Sequence, residues 1–191
     1  MDIKEIINQS IKTKQEVLNN NSIIEEIKNI VDVMVACFKN NNKVLWCGNG
    51  GSAADAQHLA AEFSGRFYYD RPALNSEALH CNTSFLTAIG NDYSYDIIFS
   101  RMIEAVGKKG DVLVGISTSG NSKNVVLALK EAKQRGLTTI SFTGEGGGEM
   151  KNYSDYIISV PSKDTPRVQE CQIMIGHIIC QGVEEEMFPK K

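Results

Sequence analysis

Short apolar runs that end in glycine, serine or threonine alternate with helical segments over most of this chain, and this alternation limits its fold more than any other feature. Five runs predict strands, of which the second is the weakest: "KVLWC", "SEALH", "DVLVGIS", "LTTISFT" and "DYIISV". Because helical segments separate most of them, we expect an α/β fold with a mainly parallel five-stranded sheet, covered on both faces in an α/β/α sandwich. Ligands of such sheets bind beyond the carboxyl ends of the strands.

Two further helices are predicted before the first strand, over residues 3–19 and 22–39. Apolar residues in the second alternate spacings of three and four, which is typical of a helix-packing seam: Ile24, Ile27, Val31, Met34 and Phe38. Two apolar helices exceed the cover that one small sheet needs. Residues 1–40 are therefore predicted to be a helical pair that contributes to oligomerisation, within a single domain of residues 1–191; the alternative is that the pair packs only within its own chain.

Composition excludes several classes of function. The net charge of −3 provides no broad basic surface for nucleic acid or anionic lipid. No apolar stretch approaches the roughly 18 residues that span a bilayer, and the amino terminus lacks the apolar core of a signal peptide. Five cysteines without a secretory signal favour reduced thiols, so the expected location is the cytoplasm. Cys37, Cys47 and Cys180 are predicted to be buried.

Two polar loops follow strands and open helices. "CGNGGSAAD" (47–55) carries glycines for close backbone approach to a ligand, with Asn49 and Ser52 as hydrogen-bonding groups, but it lacks the third glycine of a dinucleotide fingerprint. "GISTSGNS" (115–122) presents four hydroxyls at a helix N-terminus, where a dianion is stabilised. Such hydroxyls also serve as plain helix caps. Together the loops suggest a phosphorylated, hydroxyl-rich small molecule such as a sugar phosphate.

His58 and Glu62 lie four residues apart and therefore share one helix face. Such a pair can hold a divalent metal, act as an acid and base, or be a plain surface pair. The final helix, predicted from Pro166 to about Met187 with Thr165 as its N-cap, carries Gln169 in its first turn and His177 in its apolar middle. The run Glu184–Glu186 reads as a solvated helix end without a function.

These segments, in order, resemble the sugar isomerase (SIS) domain family and, within it, the phosphoheptose isomerases. The resemblance rests on "CGNGGSAADAQHLAAEFSGRF", "TAIGNDYSYDIIFSRMIEA", "DVLVGISTSGNSKNV" and "DTPRVQECQIMIGHIICQ". It implies an isomerase of sedoheptulose 7-phosphate, assembled as a homotetramer with active sites at subunit contacts. The segment "HCNTS" (80–84) departs from the family's usual "TTDTS"-like sequence, which puts substrate contacts there in doubt.

The resemblance also implies roles for particular residues. Glu62 and His177 are the implied catalytic acid/base pair, and one zinc ion per subunit is implied on His58, Glu62, Gln169 and His177. Implied substrate contacts are Asn49, Gly50, Gly51, Asn91, Asp92, Ser117, Thr118, Ser119, Ser122 and Gln169, to which we add Ser52 from the loop itself. Gln169 and His177 would lie about 12 Å apart along a straight helix, so either the helix bends or a neighbouring subunit supplies one ligand.

Overall fold

The computed structural model describes residues 1–190 and contains a parallel sheet between two layers of helices. The helices are α1 (Ile3–Leu18), α2 (Asn21–Lys39), α3 (Gly51–Ser64), α4 (Thr83–Asp92), α5 (Ile98–Val106), α6 (Lys123–Gln134) and α7 (Thr165–Met187). The strands are β1 (Val44–Gly48), β2 (Ser76–Ala78), β3 (Val112–Ile116), β4 (Thr138–Thr143) and β5 (Tyr156–Ser159). The weakest predicted strand, β2, is only three residues long.

The sheet has the strand order β2-β1-β3-β4-β5, and every neighbouring pair is parallel. The chain goes to one side of β1 for β2 and to the other side for β3. β1 and β3 therefore flank the point where the strand order reverses, which is where open parallel sheets bind ligands. Gly48 pairs with Ile116 at the carboxyl ends of these two strands. The two polar loops consequently leave the sheet side by side.

Alternate side chains of the strands enter two separate cores. In β1, Val44 and Trp46 pack in one core with residues of α1, α2, α3 and α7, whereas Leu45 and Cys47 pack in the other with α5 and α6. Both faces of the sheet are thus buried, as the near-continuous apolar runs require. The predicted α/β/α sandwich is confirmed, and Cys37, Cys47 and Cys180 are buried as predicted.

The predicted apolar seam of α2 belongs mainly to the interior of the chain. Ile27 is 6% exposed and Met34 is completely buried, because α2 packs on the sheet and on α7. The exposed isoleucines instead lie on α1, where Ile3, Ile7 and Ile11 are about half exposed or more. Charges at Ile27 or Met34 would therefore disrupt the core and could not test an oligomer interface.

The last helix also differs from its predicted ends. It begins at Thr165 with Asp164 as the N-cap residue, so Thr165 is not the cap. Glu184, predicted to be solvated, is 1% exposed. Among residues 1–190, every helix is too short or too polar to cross a membrane.

Candidate active site

An amide pair ties the loop after β1 to the first turn of α6, the helix that the loop after β3 opens. Asn49 Nδ2 donates to Asn124 Oδ1 over 2.8 Å, and Asn124 Nδ2 donates back to Asn49 Oδ1 over 2.9 Å. The Tyr95 hydroxyl also donates to Asn49 Oδ1, over 3.1 Å. Sequence reasoning singled out Asn49 but missed Asn124 and Tyr95, since their partner lies 75 and 46 residues away. Asn124 is buried and fixes the loop that α3 follows.

Three serine hydroxyls meet at the N-terminus of α6. Ser117 Oγ lies 2.9 Å from Ser122 Oγ and 3.3 Å from Ser119 Oγ. Ser122 is the N-cap residue, yet its side chain makes no capping hydrogen bond, so the plain-cap reading is wrong for this hydroxyl. Orphan N–H groups and converging hydroxyls at a helix N-terminus can surround a phosphate. Thr118 lies within the same loop and is half-buried.

Glycine is required where this loop turns. Gly120 has a φ of +67°, and a Cβ atom there would lie 2.4 Å from the carbonyl oxygen of Gly147 in the next loop. A side chain at this position would therefore be strained and would also collide with backbone. The close approach of the two loops holds the serine cluster in a fixed shape.

The N-terminus of α3 faces the side chain of Gln169. Gly50 has a φ of +54° and gives α3 no side-chain cap, and Ser52 is buried in the first turn. A Cβ atom on Gly51 would lie 2.4 Å from Gln169 Nε2. The glycine at position 51 therefore makes room for this amide. Gln169 Nε2 donates to Asp55 Oδ2 over 3.1 Å.

Asp55 is a carboxylate at this site that sequence reasoning missed. It lies one turn before His58 on α3 and is half-buried. Burial raises the pKa of this carboxyl group, although the Gln169 hydrogen bond and the charges of His58 and His177 oppose the rise. The spacing of Asp55, His58 and Glu62 at three and four residues could have signalled a shared helix face.

Two imidazoles and a carboxylate come together between α3 and α7. His58 Nε2 lies 2.8 Å from His177 Nε2 and 3.3 Å from Glu62 Oε1. The ligand atoms of the three residues all lie within 4.8 Å of one another. His58 is about half exposed and Glu62 is partly buried, so the group is open to solvent on one side.

The group fits a metal ion in both chemistry and spacing. Imidazole nitrogen and carboxylate oxygen are ordinary zinc ligands, with bonds of about 2.0–2.2 Å, which places tetrahedral ligand atoms about 3.4 Å apart. The His58–His177 and His58–Glu62 separations of 2.8 and 3.3 Å are shorter than this and the third pair lies within 4.8 Å, so small side-chain adjustments would bring the three ligand atoms to that spacing. Both Nε2 atoms must be unprotonated to bind an ion.

Gln169 is not next to this group along α7. The helix is continuous through both residues, and the eight positions from Gln169 to His177 span about 12 Å. The amide of Gln169 instead contacts Asp55 of the same chain. The implied role of Gln169 as a fourth ligand to the same ion therefore stays a prediction that requires a neighbouring subunit.

Asn91 and Asp92 end α4 and are exposed, and their side chains bond to each other over 2.8 Å. Among residues 1–190, the structure records no hydrogen bond from either side chain to the glycine or serine loops. In the segment that departs from the family pattern, His80 is partly buried and burial lowers its pKa. Its Nδ1 atom has no hydrogen-bond partner among the described residues.

Comparisons with known proteins agree with this architecture. Residues 7–144 match the family model described as the SIS domain. The chain is 58% identical over 185 residues to the phosphoheptose isomerase of Clostridium acetobutylicum, covering 97% of this chain and 94% of that protein. Phosphoheptose isomerase 2 of Campylobacter jejuni is 54% identical over 95% of this chain and 90% of its own length.

A solved structure is similar over the same length. The phosphoheptose isomerase of Neisseria gonorrhoeae superimposes with a TM-score of 0.90 at 42% identity, covering 96% of this chain and 97% of that one. The family match and these identities extend over the loops, α3 and, in the full-length relatives, α7. The chain therefore belongs to the SIS-domain family and, within it, to the phosphoheptose isomerases.

Proposed function

We propose that this chain converts sedoheptulose 7-phosphate into D-glycero-D-manno-heptose 7-phosphate, as the first step of heptose nucleotide precursor biosynthesis. The assignment of the substrate is supported by the membership of this chain in the phosphoheptose isomerases. The single observation that carries the reaction is the group of His58, Glu62 and His177 between α3 and α7. His58 and Glu62 lie on α3, the helix that begins at the glycine loop, so these two side chains and that loop share one rigid element.

The serine cluster is the proposed phosphate site. Ser117, Thr118, Ser119 and Ser122 offer hydroxyls, and the N-terminus of α6 adds a favourable dipole. Gly51 and His58 are seven residues apart on α3, so about 10.5 Å of helix separates the glycine loop from the imidazoles. An extended sugar phosphate is long enough to reach from one to the other.

The remaining contacts would hold the sugar hydroxyls. Asn49, Gly50, Gly51, Ser52 and Gln169 surround the start of α3, and their amides, hydroxyl and backbone N–H groups are suited to that role. Asn91 and Asp92 complete the proposed set from the exposed end of α4. Because no hydrogen bond joins their side chains to the loops within residues 1–190 of one chain, we propose that they act where subunits meet.

Glu62 is the proposed base, which removes a proton from C1 of the open-chain ketose. His177 moves a proton between the oxygens on C1 and C2, and a proton returned to C2 completes the aldose. A carboxylate is a weak base, so the developing negative charge on oxygen must be stabilised. His58, 3.3 Å from Glu62, orients the carboxylate.

Zinc is the proposed cofactor, one ion per subunit, held by His58, Glu62 and His177, with Gln169 of a neighbouring subunit as the fourth ligand. When bound, it supplies a Lewis acid that polarises the sugar carbonyl. Coordination of Glu62 would lower its basicity, so the roles of base and ligand oppose each other. The fate of the C1 hydrogen in wild type and in Glu62→Gln separates these roles.

We further propose a cytoplasmic homotetramer with active sites at subunit contacts. The exposed Ile3, Ile7 and Ile11 on α1 support an apolar interface there, as do Leu18 and Ile178 beside it. A cavity of about 360 Å³ between α1, α2 and α7 is lined by Ile11, Leu18 and Ile178, which gives a second subunit an apolar groove to fill. No nucleic acid or membrane partner is proposed.

Product identification tests the function most simply. The enzyme is incubated with ketose phosphates of five, six and seven carbons, and products are identified by NMR. We expect sedoheptulose 7-phosphate to give the highest kcat/KM and Glu62→Gln to reduce kcat by at least about 10²-fold. Faster turnover of a pentose or hexose phosphate would establish an isomerase of another phosphosugar. No turnover of any substrate would favour a non-catalytic protein that binds a partner or senses a sugar phosphate.

A further inference from the structure

Arg71 is a buried cation that joins the end of α3 to α7. It lies in the segment after α3, and its side chain is only 2% exposed. Nη1 donates to the carbonyl oxygen of Phe63 and Nη2 to that of Glu62, each over 2.7 Å, and Nε donates to Glu184 Oε1 over 3.1 Å. A single guanidinium group therefore satisfies the last carbonyl groups of one helix while it pairs with a side chain of the other.

Glu184 is the other half of this connection. Its side chain is 1% exposed, and its two oxygens also accept from the backbone N–H groups of Phe67, over 2.9 Å, and Tyr68, over 2.7 Å. Burial would raise the pKa of this carboxyl group, but hydrogen bonds from Tyr68, Phe67 and Arg71 hold it below its ordinary value. The carboxylate is consequently ionised and fully paired at neutral pH.

A buried ion pair is weak evidence for stability, since apolar side chains of similar volume often hold a fold as well. What the pair adds is a defined geometry, because the planar guanidinium group fixes the directions of several hydrogen bonds at once. One of those bonds ends on the backbone carbonyl oxygen of Glu62, whose side chain lies 3.3 Å from His58. The Glu184 carboxylate accepts a hydrogen bond from the backbone N–H of Phe67, and the ring centroid of Phe67 lies 5.8 Å from that of His177.

We propose that Arg71 and Glu184 are positioning residues for the group of His58, Glu62 and His177. They fix the axial position of α3 relative to α7, and this position sets the distance between the imidazole rings of His58 and His177. This inference rests on the proposed function only in taking that group as the working site.

The axial geometry supports this role. α3 and α7 run in the same direction, since Gly51 lies against Gln169, Leu59 against Gly176, and the carbonyl groups of the last turn against Arg71 and Glu184. Glu184 lies two helical turns beyond His177. The Asp55–Gln169 hydrogen bond therefore lies near the N-terminal end of the contact between α3 and α7, and the Arg71–Glu184 ion pair lies at its C-terminal end. A small slide of one helix would alter the His58–His177 separation of 2.8 Å directly.

The chain offers a clean probe because it contains three histidines, His58, His80 and His177. Ring signals of the full-length protein are recorded by ¹⁵N NMR at one fixed pH, first without and then with added Zn²⁺. Arg71→Lys keeps the positive charge, but a single ammonium group cannot make the hydrogen bonds that the guanidinium group donates to Glu62, Phe63 and Glu184. We expect shifted signals for His58 and His177, an unmoved His80 signal, and Zn²⁺ affinity reduced about 10–100-fold.

Arg135→Lys is the matched control, because Arg135 pairs with Glu131 on the surface of a different helix. It should leave all three signals and the Zn²⁺ affinity unchanged. Glu184→Gln is the second variant: its amide oxygen can still accept from Phe67 and Arg71, whereas the charge is lost and an NH₂ group replaces the acceptor for Tyr68. It should displace the same two signals and leave His80 unmoved.

Folding is checked by circular dichroism and urea unfolding before the spectra are compared. Unmoved His58 and His177 signals in either folded variant, with Zn²⁺ affinity within twofold of wild type, would overturn the proposal. So would equal shifts of all three histidines, which would indicate a general loss of structure. Because neither readout uses a sugar phosphate, an enzyme inactive on every ketose phosphate would contradict the proposed function and leave this test intact.

Discussion

Replacing Gly176 by alanine tests whether the close contact of α3 and α7 is required. Alanine inside a helix normally stabilises by about 0.5–1 kcal/mol relative to glycine. At position 176, however, the new Cβ atom would lie 2.5 Å from Leu59 Cδ1 and 2.7 Å from Cδ2. Ordinary carbon contacts are about 3.5–4.0 Å, so the overlap is about 1 Å. Leu59 is completely buried and has no solvent into which it can move.

Such overpacking costs about 1–3 kcal/mol, which exceeds the propensity gain. We therefore expect Gly176→Ala to reduce the free energy of unfolding by about 0–2.5 kcal/mol. Gly182→Ala is the control in the same helix, because the atoms nearest to its Cβ atom would be those of Val31, at 3.0 and 3.3 Å, a looser fit than at position 176. That variant should be neutral or more stable by up to about 1 kcal/mol. The difference between the two variants removes the propensity term from the comparison.

Urea unfolding followed by circular dichroism measures both variants, and a double-mutant cycle with Leu59→Ala identifies the clash. Leu59→Ala alone should cost about 2–5 kcal/mol through its cavity. Combined with Gly176→Ala it should cost less than the sum, with a coupling of about 0.5–3 kcal/mol. A Gly176→Ala protein at least as stable as Gly182→Ala, with no coupling to position 59, would refute the argument.

Three further predictions concern the phosphate site, acid stability and assembly. Ser119→Ala removes one hydrogen bond to a charged group, worth about 1.5–3 kcal/mol, so steady-state kinetics should show a raised KM and a nearly unchanged kcat; a KM within twofold would place the phosphate elsewhere. Because the pKa of Glu184 lies below its ordinary value of 4.5, its contribution to stability is present above that pH and is lost as the pH falls. Urea unfolding of Glu184→Gln should therefore depend less on pH below about 4.5 than that of wild type, and equal slopes would contradict this assignment. Ile7→Glu with Ile11→Glu places charge on the exposed face of α1, and light scattering should show dissociation of a folded protein; an unchanged assembly would exclude α1 from the interface.

The fold could be predicted from the sequence because its pattern is local. Runs such as "DVLVGIS" are buried on both faces, and the helices between them carry their own periodicity and caps. The burial of α2 was harder to predict, since an apolar face looks the same whether a sheet or a second subunit covers it. Ile27 and Met34 therefore looked like interface residues and are core residues.

The site was predictable where its residues share a helix. The spacing of His58 and Glu62 predicts their contact. The composition of the two polar loops predicts that they bind a ligand. The pairing of Arg71 with Glu184 joins positions 113 residues apart, and within the sequence Glu184 is one of three adjacent glutamates. Only packing distinguishes it from Glu185, which is exposed. Asn124 and Asp55 were missed because their partners come from other elements.

The fate of the C1 hydrogen tests the central claim most directly. Wild-type enzyme and Glu62→Gln are supplied with sedoheptulose 7-phosphate in D₂O, and deuterium at C2 of the aldose is measured by NMR together with the rate. A positioned base contributes about 10²–10⁴-fold, so we expect solvent deuterium at C2 with wild type and a kcat reduced at least that far in Glu62→Gln. If instead the C1 hydrogen moves intact to C2 and Glu62→Gln is as fast as wild type, Glu62 is a ligand only and the enediol mechanism is wrong.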